Sequence, residues 1–188
     1  MRALRGHFKK RVAAVDPAKL VFVDESGINT SMTRARGRAI PGERVQGAVP
    51  QGHWKTLTMI GAIRISGMAA AVTVNAATDT DVFGAFVHDA LVPTLHPGDV
   101  VLWDGLAAHK VQQMQQQIEQ AQATLIPLPP YSPDLSPIEP AWSKVKGYVR
   151  AVAPRTTETL GDAAAEGFAS VSAADAHGWF KKCGYCVH

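Results

Sequence analysis

Three acidic residues in this 188-residue chain stand where divalent metal ions could be held. Asp24 ends the apolar run Leu20-Val21-Phe22-Val23, and Asp104 ends Val100-Val101-Leu102-Trp103. Glu139 follows a Pro-rich string at 129–137 and opens a helix-patterned segment. Short runs that are apolar on both faces suit buried central strands. In an open α/β sheet, binding sites lie beyond the carboxyl ends of the parallel strands. If the two runs are neighbours, Asp24 and Asp104 meet at that edge. Two close anions require a proton or a cation between them, and Mg²⁺ binds through one or two carboxylates while keeping places for phosphate oxygens and water. With Glu139 as a third acid, the set suits two-metal phosphoryl transfer, one ion activating the attacking oxygen and the other stabilising the leaving one.

Simpler readings stay open for each acid. An Asp that closes a strand also starts turns. Ser136-Pro137-Ile138-Glu139 is a capping box, in which the N3 glutamate reaches back to the N-cap backbone N–H. The helix pattern favours the metal reading: Glu139, Ser143, Lys146 and Arg150 share one side, opposite Ile138, Trp142, Val145 and Val149. A carboxylate for metal followed by two cations for phosphate is a sensible order on a helix that faces a nucleic acid.

The elements that must position these residues follow from the patterning. Strands are predicted at 19–23, 56–65, 68–75, 99–103 and 124–128, with a hairpin signal at Ser66-Gly67. The stretch 25–51, rich in Gly, Arg and Pro, reads as a loop. Helices are predicted at 79–95, along the face of Val111, Met114, Ile118 and Ala121, from Ser136 as N-cap, and at 157–171 and 173–180. This order predicts an α/β fold with a mixed five-stranded sheet: an antiparallel meander of the first three strands, then crossovers that bring the last two parallel to the first.

Composition sets the frame. With 46% hydrophobic and 19% charged residues, the chain is an ordinary globular one. No run approaches a membrane span, no signal-peptide pattern opens the chain, and the two cysteines leave the core unstapled, so the expected address is cytoplasmic. The net charge of +3 is unevenly spread. Arg2, Arg5, Lys9, Lys10 and Arg11 form a basic leader, expected at 1–15 ahead of a domain at 16–188. Arg34, Arg36, Arg38 and Arg44 form a second cluster, and Lys144, Lys146, Arg150 and Arg155 a third, whereas 79–104 carries five aspartates and no Lys or Arg. Three basic clusters point to a polyanion such as nucleic acid, or to a solvated surface. Nucleotide-binding glycine loops and the His-Glu-x-x-His and Gly-x-Ser-x-Gly motifs are absent, against dinucleotide, NTP, zincin and serine-hydrolase chemistry.

Several strings carry a family resemblance. Phe22-Val23-Asp24-Glu25-Ser26-Gly27, Leu102-Trp103-Asp104-Gly105-Leu106-Ala107-Ala108-His109-Lys110 and Leu128-Pro129-Pro130-Tyr131-Ser132-Pro133-Asp134-Leu135-Ser136-Pro137-Ile138-Glu139 resemble the IS630 branch of the IS630/Tc1/mariner transposases. The likeness spans about residue 16 to the end. It implies a ribonuclease-H-like fold, with Asp24, Asp104 and Glu139 as a catalytic triad holding two Mg²⁺ or Mn²⁺ ions. It further implies cleavage at the ends of an insertion sequence and attack of the freed 3′-hydroxyl on target DNA, usually at TA. A homodimer assembled on DNA is compatible with that activity. Family members usually carry Asn where this chain has Gly105. The family's helix-turn-helix region is missing ahead of the first strand, so a preceding reading frame is expected to supply it. A nuclease of the same fold that never joins DNA, and an inactive DNA-binding remnant, are the alternatives.

Lesser signals complete the reading. Arg34, Arg36 and Arg38 would share one face of a β-ribbon and grip phosphates, or else be loop charges. Lys110, with His109, falls close enough to Asp104 to approach the site or its DNA, and Lys146 and Arg150 complete the expected DNA contacts. His53-Trp54 suits base stacking or simple packing. His177, Cys183, Cys186 and His188 fit no standard zinc spacing.

Overall fold

The computed structural model describes residues 2–76, 79–103 and 108–185. Its centre is one five-stranded sheet of β1 (Leu20–Asn29), β2 (Thr56–Arg64), β3 (Gly67–Val74), β4 (Val100–Trp103) and β5 (Thr124–Pro127), in the order β3-β2-β1-β4-β5. The first three strands form an antiparallel meander, and β4 and β5 run parallel to β1, as the patterning predicts. The hairpin turn is Ile65-Ser66, one residue before the predicted Ser66-Gly67, and Gly67 opens β3 opposite Arg64 with φ +122, a left-handed backbone that an L side chain resists.

Helices cover both faces: α1 (Arg2–Val12), α2 (Thr80–Phe86), α3 (Ala108–Gln120), α4 (Ile138–Val152), α5 (Thr157–Ala169) and α6 (Ala173–Lys182). Alternation along the central strands divides the core in two. Leu20, Phe22, Met59 and Ile63 point to one side, where Trp142, Val145, Val149 and Leu160 from α4 and α5 meet them. Val21, Val23, Ile60 and Ala62 point to the other, against Phe83, Phe86, Met114 and Ile118. The basic leader is helix α1, whose Phe8 and Val12 are buried in the first of these clusters. Among the described residues, no helix is long and apolar enough to cross a membrane.

Three further expectations need correcting. The first strand does not end at Asp24 but runs on to Asn29, because its second half pairs with β2 alone, from Glu25↔Ile60 to Asn29↔Thr56. The predicted loop therefore loses its first five residues, though 33–55 holds no strand or helix. The helix predicted at 79–95 is capped by Asp79 as its start requires, then changes to a π turn at Val87–Leu91 and a 3-10 turn at Val92–Thr94, where Pro93 has no N–H to continue it. Helix α4 starts at Ile138 with Pro137 at the N-cap position, so the Ser136 side-chain cap is not made; Glu139 N–H instead meets the Ser136 carbonyl at 3.3 Å.

Candidate active site

The parallel ladder between β1 and β4 runs from Leu20↔Val100 to Val23↔Trp103 and stops there. Asp24 is the next residue of β1, half-buried at the carboxyl end of that ladder. The position that would mirror it after Trp103 is Asp104, which lies outside the described residues. The predicted neighbourhood of the two strands is thus present in the register of the backbone.

Glu139 comes from the first turn of α4 and is exposed. Asp24 and Glu139 line one open cleft of about 500 Å³, whose remaining wall is Val23 and the Pro-rich segment from Leu128 to Ser136. Two of the three predicted acids, far apart in sequence, are therefore brought to one cavity. Carboxylate oxygens are the donors that a hard divalent cation prefers, so these two residues fit such an ion. Among the described residues, no group of three His, Cys, Asp or Glu side chains is assembled.

The Pro-rich wall is held from outside by side chains from both ends of the chain. Arg5 of α1 donates to Ser132 Oγ at 2.8 Å and to both oxygens of Asp134 at 3.0 and 2.5 Å. That guanidinium holds the Asp134 carboxyl below its usual range. Tyr185 Oη donates to the Leu135 carbonyl at 2.5 Å, and burial pushes the phenol well up. Tyr131, 84% exposed on the rim of the cleft, sits at φ +53. That conformation is uncommon for a bulky residue and is sustained only by the structure around it.

Helix α4 is tied to three other elements. Trp142 Nε1 donates to Asp24 Oδ2 at 2.9 Å, Lys144 Nζ reaches Asp175 Oδ2 on α6 at 2.5 Å, and Tyr148 Oη reaches Glu166 on α5 at 2.5 Å. Periodicity places Trp142 in the apolar stripe and says nothing of this bond. Its indole N–H was the available signal, since a buried Trp takes an acceptor for it.

The expected DNA contacts separate by environment. Lys146 and Arg150 lie half-exposed on the Glu139 side of α4, and neither makes an ion pair among the described residues. Lys144 is committed to Asp175, and Arg155 donates to the Thr30 and Met32 carbonyls at 3.0 and 3.3 Å. Arg34, Arg36 and Arg38 are exposed in an irregular segment, so the β-ribbon that would align them on one face is not formed. Lys110 is in the first turn of α3, with its side chain outside the described residues. His53 and Trp54 are exposed, Trp54 at 59%, which removes the packing alternative for that indole. His177 is exposed and Cys183 half-buried, while Cys186 and His188 lie outside the described residues.

Residues 19–161 match the family described as DDE superfamily endonuclease, and the chain belongs to that family. Among solved structures, the chain is similar to the Mos1 mariner paired-end complex with Mn, at a TM-score of 0.73 and 18% identity over 97% of this chain and 56% of that one. It is also similar to the Mos1 transposase paired-end complex with left transposon end, at 0.72 and 17%, with the same coverage. Against the catalytic domain of Mos1 mariner transposase the values are 0.63 and 15%, over 97% of this chain and 83% of that one. These likenesses establish a ribonuclease-H-like fold. The chain spans little more than half the length of the first two Mos1 chains. No curated protein matches it in sequence.

Proposed function

We propose that this chain is the catalytic domain of a transposase of the IS630 branch of the IS630/Tc1/mariner superfamily. It cleaves DNA at the ends of an insertion sequence and joins the freed 3′ end to target DNA at TA sites. Support comes from the family match together with one geometric fact: Asp24, at the end of the parallel β1–β4 ladder, and Glu139, at the start of α4, open onto a single cleft.

In this reading Asp24, Asp104 and Glu139 hold Mg²⁺ or Mn²⁺, which supplies charge neutralisation at the phosphate and a more acidic attacking oxygen. Mos1 paired-end complexes have been solved with Mn and with Mg. Lys146 and Arg150 stand about two and three turns beyond Glu139 on α4. They orient the phosphodiester backbone, and Lys110, Arg34, Arg36 and Arg38 extend that track. The helix-turn-helix part that reads the element's ends belongs to a preceding segment or frame, with 16–188 as the catalytic unit.

The chemistry asked of the protein is positional. Cleavage and joining are both in-line displacements at phosphorus, by water in the first and by a 3′-hydroxyl in the second, so one cleft can serve both if it aligns nucleophile and leaving group. The test is to incubate the chain, with and without its upstream frame, on DNA bearing the element's ends and Mn²⁺ or Mg²⁺. Cleaved and joined products are expected, both lost in Asp24→Asn and Glu139→Gln. Cleavage without joining would identify a nuclease. Salt-sensitive binding with neither product would identify a remnant.

A further inference from the structure

We infer that Trp142 is a positioning residue for the Asp24 carboxylate, and that Gly61 is the residue that makes room for it. This rests on the reading of Asp24 and Glu139 as metal-holding acids.

Trp142 is 2% exposed, and its Nε1–H donates to Asp24 Oδ2 at 2.9 Å. A donor on one carboxylate oxygen restrains the rotation of the group, as outer hydrogen bonds do for metal ligands generally. The same side chain belongs to α4, one turn beyond Glu139, so this bond also sets the separation of helix and strand at the level of the cleft.

The indole fits there because of the residue opposite Asp24. In the β1–β2 ladder Asp24 pairs with Gly61, so both face the same side of the sheet. A Cβ on Gly61 would lie 2.8 Å from Trp142 Cη2 and 2.9 Å from Met68 Cε. Even alanine would therefore push the indole out of its seat. From the other side Phe168 meets Trp142 edge-on, with ring centroids 6.2 Å apart. The ring is thus held between β2 and α5 with its N–H aimed at the strand carboxylate.

The experiment uses the full chain and Mn²⁺ alone, followed by the electron paramagnetic resonance of the free ion. Trp142→Phe keeps the aromatic packing but removes the donor, and Gly61→Ala displaces the ring. Each is expected to weaken Mn²⁺ binding by roughly 10–100-fold, the usual cost when a metal ligand loses the hydrogen bond that orients it. Phe86→Leu, which loosens the core on the opposite face of the sheet and leaves the seat of Trp142 intact, is expected to lower thermal stability and leave Mn²⁺ affinity unchanged. In the metal-free chain, the Trp142 indole proton is expected to exchange slowly, and Asp24→Ala to accelerate it about tenfold or more, the loss of one hydrogen bond of about 1.5 kcal/mol. Wild-type affinity in folded Trp142→Phe, or an indole proton indifferent to Asp24→Ala, overturns the inference. A wild-type chain that binds no Mn²⁺ overturns the reading of the site and this inference with it.

Discussion

Arg5 grips both carboxylate oxygens of Asp134 across 129 residues of sequence, at 3.0 and 2.5 Å. Asp134 lies in the 3-10 turn Pro133–Leu135, inside the segment that walls the cleft, so the first helix braces that wall. Arg5→Ala is expected to speed amide hydrogen exchange across residues 131–136 while leaving the thermal midpoint nearly unchanged, because exposed ion pairs add little to global stability. Exchange followed by mass spectrometry, beside a thermal melt, checks both parts.

The third basic cluster is expected to divide by function. Binding of the chain to duplex DNA should lose about one unit of log–log salt slope for each phosphate contact removed. Lys146→Ala and Arg150→Ala are each expected to do this. Lys144→Ala is expected to leave the slope alone, since that ammonium is already committed to Asp175. Fluorescence anisotropy at several salt concentrations distinguishes the two outcomes.

At the opposite end of β4, Arg64 and Asp99 form a buried pair at 2.6 Å, with Arg64 also donating to the Thr94 carbonyl at 2.7 Å. Burial alone would push the Asp99 carboxyl up, but the Arg64 and His96 donors outweigh it and hold the group below its usual range. Arg64→Met leaves a buried carboxylate without its cation and is expected to cost about 3–5 kcal/mol of stability, read by urea denaturation at neutral pH.

Asp175 supplies a pH test. The Lys144 ammonium, then the Ser172 hydroxyl and N–H, lower its carboxyl to about 2. A carboxyl depressed on folding stabilises the native state above its unfolded value of about 4, and the contribution disappears as pH falls from there toward the folded value. Lys144→Met is expected to move the Asp175 titration upward and to bring the fraying of the first turn of α6 to higher pH. Carboxyl carbon shifts and α6 amide exchange measure this.

The fold was legible because its central strands are short apolar runs and α4 carries a clean stripe of Ile138, Trp142, Val145 and Val149, all buried. The extension of β1 was not, since Asp-Glu-Ser-Gly has the composition of a turn and becomes a strand only through its long-range pairing with β2. The roles of Lys144 and Arg155 were equally hidden: charge clusters in sequence do not reveal which members meet a partner in the fold. Asp24 and Glu139 could be nominated from motif and spacing. The Trp142 bond between strand and helix could not, because helical periodicity assigns an indole to the core without saying where its N–H points.

Helix α4 has footings on three elements, through Asp24 in β1, Asp175 in α6 and Glu166 in α5. It therefore behaves as a strut rather than a hinge. A lesion in the carboxyl-terminal pair of helices, remote from any acid of the cleft, will shift the beam on which Glu139 is mounted. Sequence drift in α5 and α6 is thereby tied to the precision of the cleft.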